Sequence, residues 1–338
     1  MIPQEILKKI RQIEIRTNRI VTGALAIGWL RLLLAVVVGT AGGERLAMAE
    51  SAPPEPFVYK IAGGRQLTLE ADYPPGWQAT DHRPAIVFFF GGGWTSGTPR
   101  QFQAQAEYFA RRGLVCLRAD YRLNSRDKVS ADKCVEDARS ALRWVRSHAA
   151  QLGVDPQRIV AAGGSAGGHL AACTFFAENI NAPEDDLSVS ARPNAMILYN
   201  PVFDMVALRE HSLGKVLQGV SAEVITNMSP MYFIRKETPP TLVFDGTKDY
   251  LNAQDREFEA KSRADGAPVE VRYTEGQPHG FFNNPPYLQQ TTQAADEFLC
   301  RLGYLRPEPK VPLPSVSFRE RPAKPVATVD AKPLKVQP

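Results

Sequence analysis

Short apolar segments alternate with amphipathic stretches through most of this 338-residue chain. Six of these segments are rich in β-branched and aromatic residues and are bounded by Gly, Pro or Asp, which is typical of strands buried on both faces. A chain that alternates such strands with helices forms a mostly parallel sheet covered by helices, so the sequence predicts an α/β fold. The predicted strands are residues 85–90, 114–119, 158–163, 195–199, 241–244 and 269–273.

The remaining segments complete this layout. Residues 57–73 predict an N-terminal hairpin that turns at Gly63-Gly64. Residues 201–240 interrupt the alternation between two strands, and we expect this small insertion to form a lid or a wall near the active site. Helical spacing of apolar residues is found at residues 101–112, 135–149, 170–177 and 296–302.

The two ends of the chain differ in composition from the middle. Residues 20–38 are almost wholly apolar, follow a basic stretch and precede Ala47-Met48-Ala49, which is typical of an export signal with its cleavage site. An uncleaved membrane anchor is the alternative. We therefore interpret residues 1–49 as a signal peptide or anchor, 50–56 as a linker and 57–305 as the folded domain of an exported protein. The Pro- and Lys-rich residues 306–338 predict a disordered or extended tail.

Composition excludes several classes of protein. With 44% hydrophobic and 22% charged residues, the chain is neither collagen-like nor intrinsically disordered as a whole. Residues 1–31 and 306–338 each carry a net charge of +4, so the residues between them carry −4, which argues against a nucleic-acid-binding face. The four cysteines lack the spacing of a zinc site, and the sequence predicts no metal and no cofactor.

The strongest motif lies between a predicted strand and a predicted helix. Residues 163–167, Gly-Gly-Ser-Ala-Gly, fit the G-x-S-x-G pattern of a nucleophile elbow, in which the serine occupies a sharp, strained turn. Small neighbours two positions before and after the serine avoid clashes there. The sequence therefore predicts Ser165 as a nucleophile at the carboxyl edge of the sheet, and a glycine-rich packing or phosphate-binding turn is the alternative.

A serine nucleophile requires a base and an acid, and candidates follow in chain order. His279 lies after the last predicted strand in a loop with Pro278 and Gly280, and we interpret it as the base. Two aspartates compete for the acid: Asp245 directly follows a strand, whereas Asp249 lies further into the loop. We choose Asp249, because the acid must orient the imidazole from a loop above the sheet edge.

A glycine-rich loop supplies the third element. The strand ending in Phe88-Phe89-Phe90 runs into Gly91-Gly92-Gly93. Acyl transfer develops negative charge on a carbonyl oxygen, and backbone N–H groups without side chains can bind it. We predict that the N–H groups of Gly92, Gly93 and Ala166 form an oxyanion hole. A plain tight turn is the alternative.

Together these motifs resemble the α/β-hydrolases, and within them the carboxylesterases of the hormone-sensitive-lipase type and the related feruloyl/acetylxylan esterase-like group. The resemblance covers about residues 57–305. It implies an α/β-hydrolase fold and a serine esterase that releases acetyl or feruloyl groups from a polysaccharide or a small ester. It rests on residues 91–94, Gly-Gly-Gly-Trp; 120–122, Asp-Tyr-Arg; 137–138, Asp-Ala; 144–146, Trp-Val-Arg; the serine elbow; 246–249, Gly-Thr-Lys-Asp; and 278–280, Pro-His-Gly.

The chain departs from the resembled enzymes at one position, because Phe90 occupies the place of their usual histidine before the glycines. Two other functions are alternatives to an esterase. A serine peptidase of the prolyl-oligopeptidase type would share the catalytic residues, but those enzymes usually carry a large β-propeller domain. A noncatalytic binding protein would keep the fold while Phe90 disables the oxyanion loop.

Overall fold

A central sheet of eight strands organises the computed structural model, which describes residues 55–308 and 310–315. The strand order is β1-β2-β4-β3-β5-β6-β7-β8, and every pair from β4 onward is parallel, whereas β2 pairs antiparallel with both β1 and β4. The predicted mostly parallel sheet and the N-terminal hairpin are confirmed. The strands are β1 Phe57–Ala62, β2 Arg65–Asp72, β3 Arg83–Phe89, β4 Val115–Ala119, β5 Val154–Gly164, β6 Ala195–Tyr199, β7 Thr241–Gly246 and β8 Val269–Thr274.

Helices flank this sheet and follow the strands along the chain. The helices are α1 Gln103–Arg111, α2 Asn124–Asp127, α3 Ala131–Ser147, α4 Ala149–Leu152, α5 Ala166–Phe176, α6 Ala222–Asn227, α7 Asn252–Ala264 and α8 Tyr287–Arg301. Short 3₁₀ turns occur at Pro99–Phe102, Ala207–Glu210, Ser212–Leu217, Pro230–Tyr232 and Phe281–Asn283.

The core has two halves, one on each face of the sheet. Val87 and Phe89 of β3 pack into one half with α3, α5 and α7, whereas Ile86 and Phe88 pack into the other with α1 and α8. This alternation follows from the two-residue period of a strand. Because helices cover both faces of the sheet, six of the seven residues of β3 are buried, and only the first is partly exposed.

The insertion between β6 and β7 forms short helical turns and α6, as the interrupted pattern at residues 201–240 predicts. Ser221 caps α6, since its side-chain oxygen accepts a hydrogen bond from the Val224 N–H. Part of this insertion lies against the site described below.

The last described residues pack on the domain. Val311 and Leu313 contact the half of the core that contains α8, and Gln289 Nε2 donates a hydrogen bond to the Pro314 carbonyl oxygen. The packed chain thus continues past residue 305, where the sequence predicts the domain to end.

The predicted export segment, and the predicted tail at residue 309 and beyond residue 315, lie outside the described residues. Among residues 55–308 and 310–315, no helix is both long and apolar enough to cross a membrane.

Candidate active site

Ser165 occupies the sharp turn between β5 and α5. Its backbone has φ 52° and ψ −120°, a region that residues with a side chain rarely adopt. The turn requires bare neighbours, because a Cβ on Gly163 would overlap the Gly167 carbonyl group, and one on Gly167 would overlap the Phe89 carbonyl group. The hydroxyl is therefore held at the carboxyl edge of the sheet, in the geometry of a nucleophile elbow.

The imidazole of His279 bridges Ser165 and Asp249. Its Nε2 lies 2.8 Å from Ser165 Oγ, and its Nδ1 lies 2.8 Å from Asp249 Oδ2. A carboxylate only accepts hydrogen bonds, so Nδ1 carries the proton and Nε2 is left to accept one from the serine hydroxyl. The Asp249 side chain is 0% exposed and the His279 side chain is 23% exposed. Of these two side chains, only the imidazole can therefore contact an entering substrate.

Asp245 contacts other groups. Its Oδ1 accepts a hydrogen bond of 3.1 Å from Asn200 Nδ2, and its Oδ2 accepts one from Asn252 Nδ2. Burial and, to a smaller extent, the charge of the neighbouring Asp249 raise the pKa of Asp245 to about 6. Of the two candidate acids, Asp249 is the one that the structure places on the imidazole.

The glycine-rich loop leaves backbone donors available next to the elbow. No described residue accepts a hydrogen bond from the N–H of Gly92 or Gly93. The Ala166 N–H is at the first position of α5, where a helix supplies no acceptor. The loop lies against the nucleophile, since a Cβ on Gly91 would be 3.3 Å from Ser165 Cβ. The structure thus places the glycine loop that carries two of the predicted donors against the serine elbow that carries the third.

Aromatic packing braces this loop where the resembled enzymes have a histidine. The Phe90 ring is buried and stacks on Tyr121, with ring centroids 4.2 Å apart. The Tyr121 hydroxyl donates a hydrogen bond of 2.7 Å to the Phe90 carbonyl oxygen. Gly97 makes room for the ring, because a Cβ there would lie 2.6 Å from it. Phe90 therefore supports the loop by packing.

Gln101 links the loop to the histidine segment. Its Oε1 accepts a hydrogen bond of 2.6 Å from the Gly91 N–H, and its Nε2 donates one of 3.2 Å to Asn283 Oδ1. Asn283 in turn donates to the Gly280 carbonyl oxygen at 2.9 Å. One glutamine side chain thus couples the positions of the two loops that flank Ser165.

One turn of the insertion forms a wall of the site. Leu213 Cδ2 lies 3.1 Å from the position that a Cβ on Gly93 would occupy. His211 stacks in parallel on Tyr250, with centroids 5.5 Å apart, and the Tyr250 ring lies 4.8 Å from the His279 ring. Burial and the charge of Asp249 raise the pKa of Tyr250 to about 12, so its hydroxyl is neutral at pH 7. The turn therefore lies against the oxyanion loop through Leu213, and it reaches the base only through Tyr250.

The motifs that predict Ser165, Asp249 and His279 do not extend to His211, Gln101 or Asn200. Asn200 had a usable signal, because it is a polar residue directly after a buried strand that neighbours the elbow strand. His169, one helical turn after the serine, is buried, and its Nε2 lies 2.7 Å from the Met228 carbonyl oxygen.

The cysteines and acidic groups form no further centre in the described part of the chain. All four cysteines, Cys116, Cys134, Cys173 and Cys300, are unpaired thiols. Among the residues that the structure describes, no group of three or more His, Cys, Asp or Glu could hold a metal ion.

The sheet order and the strand-elbow-helix geometry define an α/β-hydrolase. Residues 73–260 match the BD-FAE family, which is more than half of the chain, and the chain belongs to this family. Esterase 2 of the planctomycete Thermogutta terrifontis, in its apo form, is 46% identical, has a TM-score of 0.72 and is covered to 98%, over 77% of this chain.

Two curated relatives are more distant. Esterase LipQ of Mycobacterium tuberculosis is 30% identical over 231 residues, or 63% of this chain and 53% of that protein. The probable isoprenylcysteine alpha-carbonyl methylesterase ICMEL1 of Arabidopsis thaliana is 27% identical over 66% of this chain and 51% of that protein. The chain spans about half the length of these curated relatives.

Proposed function

We propose that this protein is a carboxylic ester hydrolase that uses Ser165, His279 and Asp249 as a catalytic triad. The Ser165 oxygen attacks the ester carbonyl carbon while His279 Nε2 takes the hydroxyl proton, and Asp249 stabilises the imidazolium. The N–H groups of Gly92, Gly93 and Ala166 bind the oxyanion. The C–O bond of the ester then breaks, His279 returns its proton to the leaving alcohol, and water hydrolyses the acyl-enzyme by the same steps.

One observation carries this proposal: the two 2.8 Å contacts that place His279 between Ser165 Oγ and Asp249 Oδ2. A buried histidine or a glycine-rich packing turn would not need both contacts in a partly exposed site. The serine hydroxyl, the base and the free backbone donors converge in the way that acyl transfer requires.

We further propose a short acyl group, of the acetyl to butyryl range, in preference to feruloyl. Leu213 lies close to Gly93 and narrows the space beside the oxyanion loop. Structures of Thermogutta terrifontis esterase 2 with propionate and with butyrate bound support the same size, at 45% and 44% identity. Acetyl groups on a polysaccharide or on a small alcohol fit this range.

The first experiment compares p-nitrophenyl acetate hydrolysis by the full chain and by Ser165→Ala. We expect the substitution to lower kcat by about 10⁵- to 10⁶-fold, because a serine nucleophile has no substitute. The same esterase 2 has been solved phosphorylated by paraoxon. We therefore expect paraoxon to add one diethylphosphoryl group to the wild type and none to Ser165→Ala, as measured by intact mass.

A substrate panel tests the acyl group and the other functions. Acetyl, propionyl, butyryl and octanoyl p-nitrophenyl esters, methyl ferulate, acetylated xylan and a prolyl p-nitroanilide would be compared by kcat/KM. Faster release of ferulate than of acetate would contradict the short-acyl proposal. Cleavage of the anilide without ester turnover would favour the peptidase, and wild-type protein inert to all substrates and to paraoxon would favour the binding protein.

A further inference from the structure

Asn200 is a fully buried polar residue at the centre of the site, directly after β6. Its φ is 46°, in the left-handed region, which asparagine tolerates better than most residues with a side chain. The Asn200 N–H donates a hydrogen bond of 2.8 Å to the Phe244 carbonyl oxygen of β7. The backbone therefore fixes where the side-chain amide lies.

The amide of Asn200 contacts the proposed acid and the loop that carries the proposed base. Its Nδ2 donates to Asp249 Oδ2 at 2.6 Å, the same oxygen that lies 2.8 Å from His279 Nδ1. Its Oδ1 accepts a hydrogen bond of 3.2 Å from the N–H of Gly280, the residue after His279. One planar group thus supplies a donor to the acid and an acceptor to the loop that carries the histidine.

The electrostatic surroundings make this donor important. Three carboxyl groups lie together here: Asp245 near the end of β7, Asp249 in the loop after it, and Asp255 on α7. Burial raises the pKa of Asp255 well above its usual value, as do the charges of Asp245 and Asp249. Among the described residues, His279 is the only basic group within ion-pair distance of Asp249, and none pairs with Asp245 or Asp255. Neutral amides therefore supply the remaining stabilisation of the acid.

We propose that Asn200 is a positioning residue of the proposed reaction, which holds the Asp249 carboxylate and the His279 loop in one arrangement. This inference rests on the proposed ester hydrolysis. Asn200 does not reach the ester. It acts through the Asp249–His279 pair, so its loss lowers kcat while the binding of substrate, which KM reports, changes little.

The test uses two variants of Asn200 and a matched control. Asn200→Gly keeps a residue that accepts the positive φ and removes all three side-chain contacts. Asn252→Ala is the control, because the Asn252 side chain also donates to Asp245 but contacts neither the Asp249 side chain nor the histidine loop. A hydrogen bond to a charged group contributes about 1.5–3 kcal/mol, so we expect Asn200→Gly to lower kcat about 10- to 100-fold. KM of Asn200→Gly, and kcat of Asn252→Ala, should change by less than about 2-fold.

Asn200→Asp supplies a measurement, the pH dependence of kcat, that would not change if Asn200 had a purely structural role. The new carboxyl group can donate to Asp249 only while it is protonated, and Asp245, Asp249 and Asp255 around it favour that form. The ratio of variant to wild-type kcat should therefore fall as pH rises and the group ionises. Circular dichroism and the thermal midpoint confirm that each variant is folded.

The outcomes separate this inference from the proposed function. Suppose that the wild type is active. If kcat is then unchanged in Asn200→Gly, or if Asn252→Ala loses as much kcat as Asn200→Gly, the role of Asn200 is overturned and the proposed function is not. A pH-independent kcat ratio for Asn200→Asp would do the same. If Asn200→Gly does not fold, the kcat ratio of Asn200→Asp decides the question. Wild-type protein that neither hydrolyses esters nor reacts with paraoxon would overturn the proposed function and, with it, this role.

Discussion

The indole of Trp94 and the imidazole of His169 meet edge to face, with ring centroids 5.2 Å apart and planes at 85°. Trp94 ends the oxyanion loop and His169 lies on α5, behind the nucleophile, and both side chains are fully buried. The contact therefore joins the two elements that carry the proposed oxyanion donors. It also places a titratable group in the interior of the protein.

This burial makes stability depend on pH. Burial lowers the pKa of His169 to about 4, against 6.5 in the unfolded chain. The unfolded state then binds more protons between these values, so the contribution of His169 is fully present above pH 6.5 and is lost as pH falls toward 4. From pH 7.5 to pH 5 this loss is about 2 kcal/mol.

Urea unfolding of the wild type and His169→Gln at both pH values measures this effect. Asp245 and Asp255 titrate in both proteins, so the difference between the two proteins isolates His169. The destabilisation caused by His169→Gln should shrink by about 2 kcal/mol at pH 5. An equal destabilisation at both pH values would contradict the prediction.

The hydroxyl of Tyr121 should matter for both stability and activity. Tyr121→Phe leaves the buried Phe90 carbonyl oxygen without this donor, which costs about 1–3 kcal/mol, and it loosens the oxyanion loop. We expect kcat to fall several-fold. Tyr59→Phe is the matched control, because the Tyr59 hydroxyl also donates to a backbone carbonyl, that of Asp120, at 2.7 Å. Similar urea midpoints with reduced kcat only in Tyr121→Phe would support the bracing role, and equal kcat in both would argue against it.

Gly93 has a positive φ, and a side chain at this position would also contact Leu213. Its φ is 60°, and a Cβ there would lie 3.1 Å from Leu213 Cδ2. Gly63 has φ 59° with nothing within 4 Å of its Cβ position, so Gly63→Ala has the same backbone strain without the contact. Each alanine should cost about 1–2 kcal/mol of stability. Only Gly93→Ala should also lower kcat, by about 10-fold or more, because its N–H is a proposed oxyanion donor. Ester assays and urea unfolding of both variants check this, and a comparable loss of kcat in Gly63→Ala would refute it.

Substitution of Asp245, near the end of β7, and of Asp249, in the loop after β7, should lower kcat to very different extents. Asp249→Asn removes the group that sets the His279 tautomer, so we expect kcat to fall about 10⁴-fold. Asp245→Asn changes a carboxyl group that contacts Asn200 and Asn252 and not the imidazole, so kcat should stay within about 10-fold of wild type. Steady-state kinetics at pH 8 compare the two variants, and a larger loss in Asp245→Asn would show that the acid was wrongly assigned.

Local sequence signals predict the sheet, which the structure confirms, and they select Ser165, Asp249 and His279, which the structure brings together, because buried strands and the serine elbow each need distinctive residues. The sequence pattern does not predict helix α7, and the reason is physical. Its buried positions include Gln254, Asp255 and Ser262, and Phe258 is its only large apolar residue there, so no apolar stripe marks it. Helix α8 begins at Tyr287, well before the predicted residue 296, because the polar run after Leu288 hides its periodicity.

Long-range contacts explain the other differences. β5 begins at Val154, four residues before the predicted start, because Val154 pairs with Arg83 ahead of an irregularity in the register. The supporting contacts of Gln101 and Asn200 join residues that are 182 and 49 positions apart in the chain. No local pattern encodes such pairs, because they depend on the order of strands in the sheet.

The end of β6 supports two of the three proposed triad residues at adjacent positions. The Tyr199 carbonyl oxygen accepts the Ser165 N–H at 2.8 Å, and the next residue, Asn200, donates to Asp249. A small slide of this strand would therefore carry the serine and the aspartate in the same direction. Because both hydrogen bonds start from one strand end, a displacement of β6 changes the separation of Ser165 and Asp249 less than a displacement of either loop alone.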